Sequence, residues 1–163
     1  MEIFSMQVGE ALKAHGMMLA TAESCTGGGV AQAVTDIAGS SAWFERGFVT
    51  YANQAKVEML GVRQSTLDSH GAVSEMTVRE MVRGALAHSH AHIAVAVSGI
   101  AGPGGGTADK PVGTVWFAWA LGDGEVLAQR YLLSGDRAGI REQSVAIALQ
   151  GVLEILNSQS ILA

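Results

Sequence analysis

The stretch Thr21-Ala22-Glu23-Ser24-Cys25-Thr26-Gly27-Gly28-Gly29 constrains the fold of this chain more than any other. An apolar run, Met17 to Ala22, gives way to glycines and then to a helix-like pattern from Val30 to Ile37. Such a succession predicts a strand, a tight turn that glycine makes accessible, and a helix. A serine in that turn projects its hydroxyl away from the strand end. The N–H groups of the following helix then point at whatever the hydroxyl attacks. This geometry suits a nucleophile with a built-in anion site.

The rest of the chain extends the same alternation. Met6, Val8, Ala11, Leu12 and Ala14 recur at helical spacing, and His15-Gly16 closes that helix. Met17 to Thr21 reads as a strand, Gly27 to Asp36 as a helix, and Trp43 to Tyr51 as a second strand. Asn53 is the expected N-cap of a helix ending at Leu60, Ser65 to His70 makes a short helix or turn, and Ser74 caps a helix from Glu75 to about Ala87. His92 to Val97 is a buried strand. Val112 to Ala120 and Val126 to Leu133 are strands joined by the hairpin signal Gly122-Asp123-Gly124, and a helix runs from Asp136 to about Leu156. The expectation is a three-layer α/β/α domain on a mixed, mostly parallel sheet of about five strands, with one antiparallel strand from the hairpin. With no linker or repeat in view, residues 1–163 are expected to form one domain.

Composition excludes several classes. Hydrophobic residues make up 48% and charged residues 15%, which fits a buried core and not a disordered tail. A net charge of −5 argues against a general nucleic-acid partner. No run carries the roughly 18 apolar residues of a membrane helix, and the start lacks a secretory signal, so a soluble cytoplasmic protein with no membrane partner is expected. One cysteine and five scattered histidines point to no metal site, and no cofactor is expected. A homodimer or higher homo-oligomer is the default, with Trp43-Phe44, Trp116 and Trp119 as either a dimer face or core.

Ligands of such sheets bind beyond the carboxyl ends of the strands. Ser24, Tyr51 and the loop from Ser98 all follow strands, so they are expected on one edge. Ser24 needs a base. His88, His90 and His92 bunch at a strand entry and read as a solvated loop, and His70 sits in a turn. Lys56 lies at about the third position of its helix, where the helix dipole and partial burial both favour a neutral amine. Tyr51 just precedes that helix, where its phenol could join a Ser–Tyr–Lys relay. On spacing alone, an exposed lysine and a core tyrosine are the simpler readings. Cys25 is either a rival nucleophile or inert packing. Thr26 either contacts substrate or caps the helix, and Glu23 either orients a neighbour or is exposed.

A second glycine-rich segment, Ser98-Gly99-Ile100-Ala101-Gly102-Pro103-Gly104-Gly105-Gly106-Thr107, directly follows a strand. It offers many unencumbered N–H groups, with which Lys110 is placed to cooperate in cradling a phosphate or carboxylate. No Gly-Lys-Ser/Thr follows, so it is not a P-loop, and the third glycine of a dinucleotide fingerprint is missing. By composition, a mobile linker loop reads as well as an anion cradle.

Four segments together resemble one known family. They are Thr21 to Gly28, Gly47 to Lys56, His70-Gly71-Ala72-Val73-Ser74-Glu75, and Ser98 to Pro103 continuing through Pro111-Val112-Gly113-Thr114-Val115. In order and over nearly the whole chain, they are similar to the CinA C-terminal family. The resemblance implies an α/β/α fold like that of anticodon-binding domains. It also implies hydrolysis of the carboxamide of nicotinamide mononucleotide (NMN) to nicotinate mononucleotide and ammonia, in pyridine-nucleotide salvage. On this resemblance Ser24 is the nucleophile, with Lys56 and Tyr51 as its partners. Thr26, Gly27 and Gly28 would surround the oxyanion, and Ser98, Gly99, Gly102, Gly104, Gly105, Thr107 and Lys110 would hold the nucleotide. The alternatives are a non-catalytic nucleotide-binding module and an amidase of different substrate.

Overall fold

Alternation of large and small apolar residues along the strands sets the layering. The structure, a computed structural model, describes residues 1–162, with side chains through Ser158. In β3 (Ile93–Gly99), Ile93, Val95 and Val97 face one side and Ala94 and Ala96 the other. In β4 (Thr114–Leu121), Val115, Phe117 and Trp119 face the first side, and Ala118 and Ala120 the second. Successive side chains of a strand point to opposite faces, so this pattern builds two unlike interfaces.

The bulky face packs against α1 (Glu2–His15), α2 (Gly29–Thr35) and α6 (Arg137–Leu162). The alanine face lets α5 (Glu75–Ala87) come close, and α3 (Asn53–Leu60) and α4 (Gln64–His70) pack against α5. The result is the expected three-layer α/β/α arrangement.

The five strands are β1 (Leu19–Glu23), β2 (Phe44–Val49), β3, β4 and β5 (Leu127–Leu132), in the sheet order β2-β1-β3-β4-β5. β1 pairs parallel with β2 and β3, whereas β4 pairs antiparallel with β3 and β5. Four strands therefore share one direction and β4 alone is reversed, as the hairpin signal predicts. This has a consequence for the site. The carboxyl ends of β1, β2, β3 and β5 all reach the same edge, so the turn after β1, the start of α3, the loop after β3 and the start of α6 converge there.

Several expectations are corrected. The first strand starts at Leu19 because Met17 closes the preceding helix: Gly16 is left-handed at φ 63°, and the Met17 N–H donates to Leu12 O at 2.9 Å. The helix expected from Gly27 starts at Gly29, because Gly27 and Gly28 take φ of 58° and 98°, values that glycine alone adopts freely. Asn53 is the first residue of α3 and not its cap; Ala52 holds the cap position without a side-chain bond. Ser74 does cap α5, accepting from the Thr77 N–H at 3.3 Å. Of the tryptophans read as either core or dimer face, Trp43 and Trp119 are core residues, at 1% and 6% exposure. The Trp119 Nε1 donates to Ala148 O at 3.0 Å, which ties β4 to α6. Among the described residues no helix is long and apolar enough to cross a membrane.

Candidate active site

Ser24 sits one residue beyond β1, and its N–H donates to Val97 O at 3.0 Å, fastening the turn to β3. Lys56, the fourth residue of α3, is 1% exposed. Its Nζ lies 3.1 Å from Ser24 Oγ, 2.9 Å from Thr50 O and 3.2 Å from Tyr51 O. The first turn of α3 folds back over the end of β2, so the strand-end carbonyls and the serine meet at one nitrogen. Burial holds the amine below the ordinary lysine range. A neutral amine has two N–H groups and one lone pair. With the N–H groups of such an amine on the Thr50 and Tyr51 carbonyls, its lone pair would be left toward Ser24 Oγ. Such an arrangement meets the distance requirement of a general base.

The turn that carries Ser24 is held from both sides. Glu23 is buried, and its Oε1 accepts from the Thr26 hydroxyl at 2.6 Å and the Val30 N–H at 2.8 Å, while Oε2 accepts from the Ala31 N–H at 3.0 Å. The carboxylate thereby satisfies amides at the start of α2 that no helical carbonyl can reach. From the other side, the Arg141 Nε donates to Cys25 O at 3.1 Å and its Nη2 to Thr26 O at 3.3 Å. The Gly27 N–H donates to Ser24 O at 3.0 Å and is unavailable to an oxyanion. The Cys25, Thr26 and Gly28 N–H groups donate to no group among the described residues. Each peptide is planar, with its N–H opposed to its C=O. By gripping Cys25 O, Arg141 therefore fixes the direction of the Thr26 N–H. The Cys25 thiol is pushed up to about 11 by burial, which leaves it protonated at neutral pH.

A cleft of about 290 Å³ opens over these groups. Ser24, Cys25, Tyr51 and Lys56 line it, as do Ser98, Gly99, Gly102, Gly104 and Gly105 from the glycine loop. Thr26, Gly27, Gly28, Thr107 and Lys110 do not line it. The Thr26 hydroxyl is taken by Glu23. Thr107 Oγ1 accepts from the Lys110 N–H at 2.9 Å in a local turn. Lys110 reaches away from the cleft to His70 O, at 2.7 Å. Ser98 is buried and donates to Ala72 O at 2.9 Å, which positions another wall of the cleft. Tyr51 contributes its carbonyl, not its phenol, to Lys56. The ring is 61% exposed at the cleft mouth and its hydroxyl accepts from Arg137 Nη2 at 3.2 Å.

Two arginines absent from the sequence expectation thus belong to this site. Arg137 and Arg141 stand one turn apart on α6, and a helix face with two arginines just after the last strand is their only local signal. Asn53, read as a cap, also lines the cleft. A larger groove of about 620 Å³ lies along β5 and α6 and has neither Ser24 nor Lys56 in its lining.

Comparison with known proteins matches residues 2–156 to the profile described as the CinA C-terminal domain. The chain is similar to "Nicotinamide-nucleotide amidohydrolase PncC" of Escherichia coli (strain K12), 62% identical over 146 residues, covering 90% of this chain and 88% of the relative. The protein of the same name from Pseudomonas putida is 53% identical over 150 residues, covering 91% and 92% of the two chains. Among solved structures, the competence/damage inducible protein CihA from Agrobacterium tumefaciens superposes with a TM-score of 0.92 at 49% identity, covering 96% of this chain and 94% of that one.

Proposed function

This chain belongs to the CinA C-terminal domain family, and from that premise we propose that it hydrolyses the carboxamide of NMN to nicotinate mononucleotide and ammonia. The observation that carries the reading is the buried contact of 3.1 Å between Ser24 Oγ and Lys56 Nζ. The names of relatives above 50% identity supply the substrate.

In this reading Lys56 takes the Ser24 proton as Oγ attacks the carboxamide carbon. The oxyanion forms beside the Cys25, Thr26 and Gly28 N–H groups, where removal of one such donor typically costs ~100- to 1000-fold in rate. Lys56 returns its proton to the departing nitrogen, and ammonia leaves. Water then attacks the acyl-enzyme, again with Lys56 as base. The carboxylate departs and Ser24 recovers its proton. Gly99, Gly102, Gly104 and Gly105 lie along the cleft where the rest of the nucleotide would extend.

The test is ammonia release from NMN by the wild type and Ser24→Ala. Loss of release by at least about 1000-fold with an unchanged Tm supports the nucleophile. Turnover retained in the variant rejects it. Tight NMN binding by the wild type without ammonia over hours would favour a non-catalytic nucleotide-binding module.

A further inference from the structure

Arg137, like Arg83 and Arg141, bonds only neutral acceptors, but it alone of the three lines the cleft over Ser24. Arg46, Arg63 and Arg79 are ion-paired with Glu45, Glu80 and Glu75. Arg137 instead donates from Nη1 to Gly102 O at 2.8 Å and from Nη2 to the Tyr51 hydroxyl at 3.2 Å, both neutral acceptors. Its neighbour Asp136 turns its carboxylate back onto the Gly139 N–H at 2.8 Å. Among the described residues no Asp or Glu lines the cleft. With Lys56 biased toward the neutral amine, Arg137 is the one permanent charge in the cleft lining and has no counter-charge. A guanidinium carries five N–H donors in a planar fork, of which these bonds use two. The remainder suit the oxygens of a phosphate, and the arginine charge persists at any working pH. The glycine loop leaves room on this side, since a methyl group added at Gly104 would meet no atom within 4 Å.

We propose that Arg137 binds the phosphate of the nucleotide and makes the site selective for a nucleoside monophosphate over the bare nucleoside. This rests on the amidase reading above. It gives to Arg137 the role that sequence position suggests for Lys110, which is committed to His70 O. The contacts to Tyr51 and Gly102 bridge the two walls of the cleft and hold the guanidinium across its mouth before a ligand arrives.

The experiment compares kcat/KM for NMN and for nicotinamide riboside, which lacks the phosphate, in the wild type, Arg137→Met and Arg137→Lys. The NMN-to-riboside ratio is expected to fall about 30- to 100-fold in Arg137→Met and to be partly restored in Arg137→Lys. Inorganic phosphate should also lose about tenfold in potency as a competitive inhibitor. An equal fall for both substrates overturns the proposal, because Arg137 would then act only by holding Tyr51 and Gly102 in place. If the wild type releases no ammonia from NMN, the amidase reading fails separately. The phosphate assignment is then read by calorimetry with nicotinate mononucleotide and nicotinate riboside. A preference for the phosphorylated ligand that Arg137→Met abolishes sustains it, and a preference that survives, or none in the wild type, overturns it.

Discussion

The turn at Ser24 and the loop from Ile100 to Pro111 flank the same cleft and are built in opposite ways. In the turn Glu23, Ser24, Cys25 and Thr26 are all buried, and backbone and side-chain groups are fastened by Val97, Glu23 and Arg141. In the loop Pro103 to Asp109 are exposed, and tertiary tethers come from the tips of two long cations, Arg137 to Gly102 and Lys110 to His70. Groups aimed at a developing charge act best when they need no reorganisation, so the turn is over-determined. A segment that admits a ligand benefits from few buried contacts, so the loop is tied lightly. In the proposed reaction, fixing the chemistry and accommodating the substrate thus fall to different strand ends.

The sharpest way to break that contrast is at the base. Lys56→Arg keeps a cation that cannot deprotonate, and kcat should fall by at least about 1000-fold. In the wild type, kcat/KM should rise about tenfold per pH unit and level off at a value below the ordinary lysine range, because burial lowers the amine in the folded state. Stability carries the same sign. Between the lowered folded value and the ordinary one the unfolded chain binds the extra proton, so the stability this amine contributes is present at high pH and is lost as pH falls through the folded value. A flat rate profile across that window removes Lys56 as base.

Next in size, Arg141→Met should lower kcat by about 10- to 100-fold with KM within about twofold, since it frees the Cys25 and Thr26 carbonyls and with them the direction of the Thr26 N–H. An effect on KM alone would place Arg141 with the loop. Glu23→Ala, read by thermal or urea unfolding, should cost about 2–3 kcal/mol, because two amides and a hydroxyl near the start of α2 lose their acceptor. The smallest effect belongs to the loop. Lys110→Ala should raise KM about two- to fivefold with kcat nearly unchanged, by releasing the exposed bond to His70 O. A collapse of kcat there would mean that the loop is as preorganised as the turn, and the contrast would fail.

The fold was legible because its signals are local and periodic. The alternation Ile93-Ala94-Val95-Ala96-Val97 states which face is crowded, and Gly122-Asp123-Gly124 states where the sheet reverses. Boundaries shifted where capping chemistry intervened, as at Met17 and at Gly27-Gly28. The Ser24 position could be read because it follows a strand end and precedes a helix start, whereas spacing alone favoured an exposed lysine at Lys56, which the family resemblance singled out and the structure buries beside Ser24. The direction taken by long side chains was not readable. Tyr51 turns its hydroxyl to Arg137, and Lys110 swings out to His70, because the hydrogen-bond partners that capture them are 86 and 40 residues away in sequence.

What the sequence determined by itself is the α/β layering, the strand-end serine and the helix that carries Lys56, because hydrophobic period, glycine conformation and helix starts act over a few residues. What only the tertiary structure decided is which charges enter the cleft. β5 runs parallel to β3 and delivers the start of α6 to the catalytic edge, so Arg137 and Arg141 arrive more than a hundred residues after the turn that Arg141 grips. Long-range packing fixes that meeting, and no local pattern encodes it.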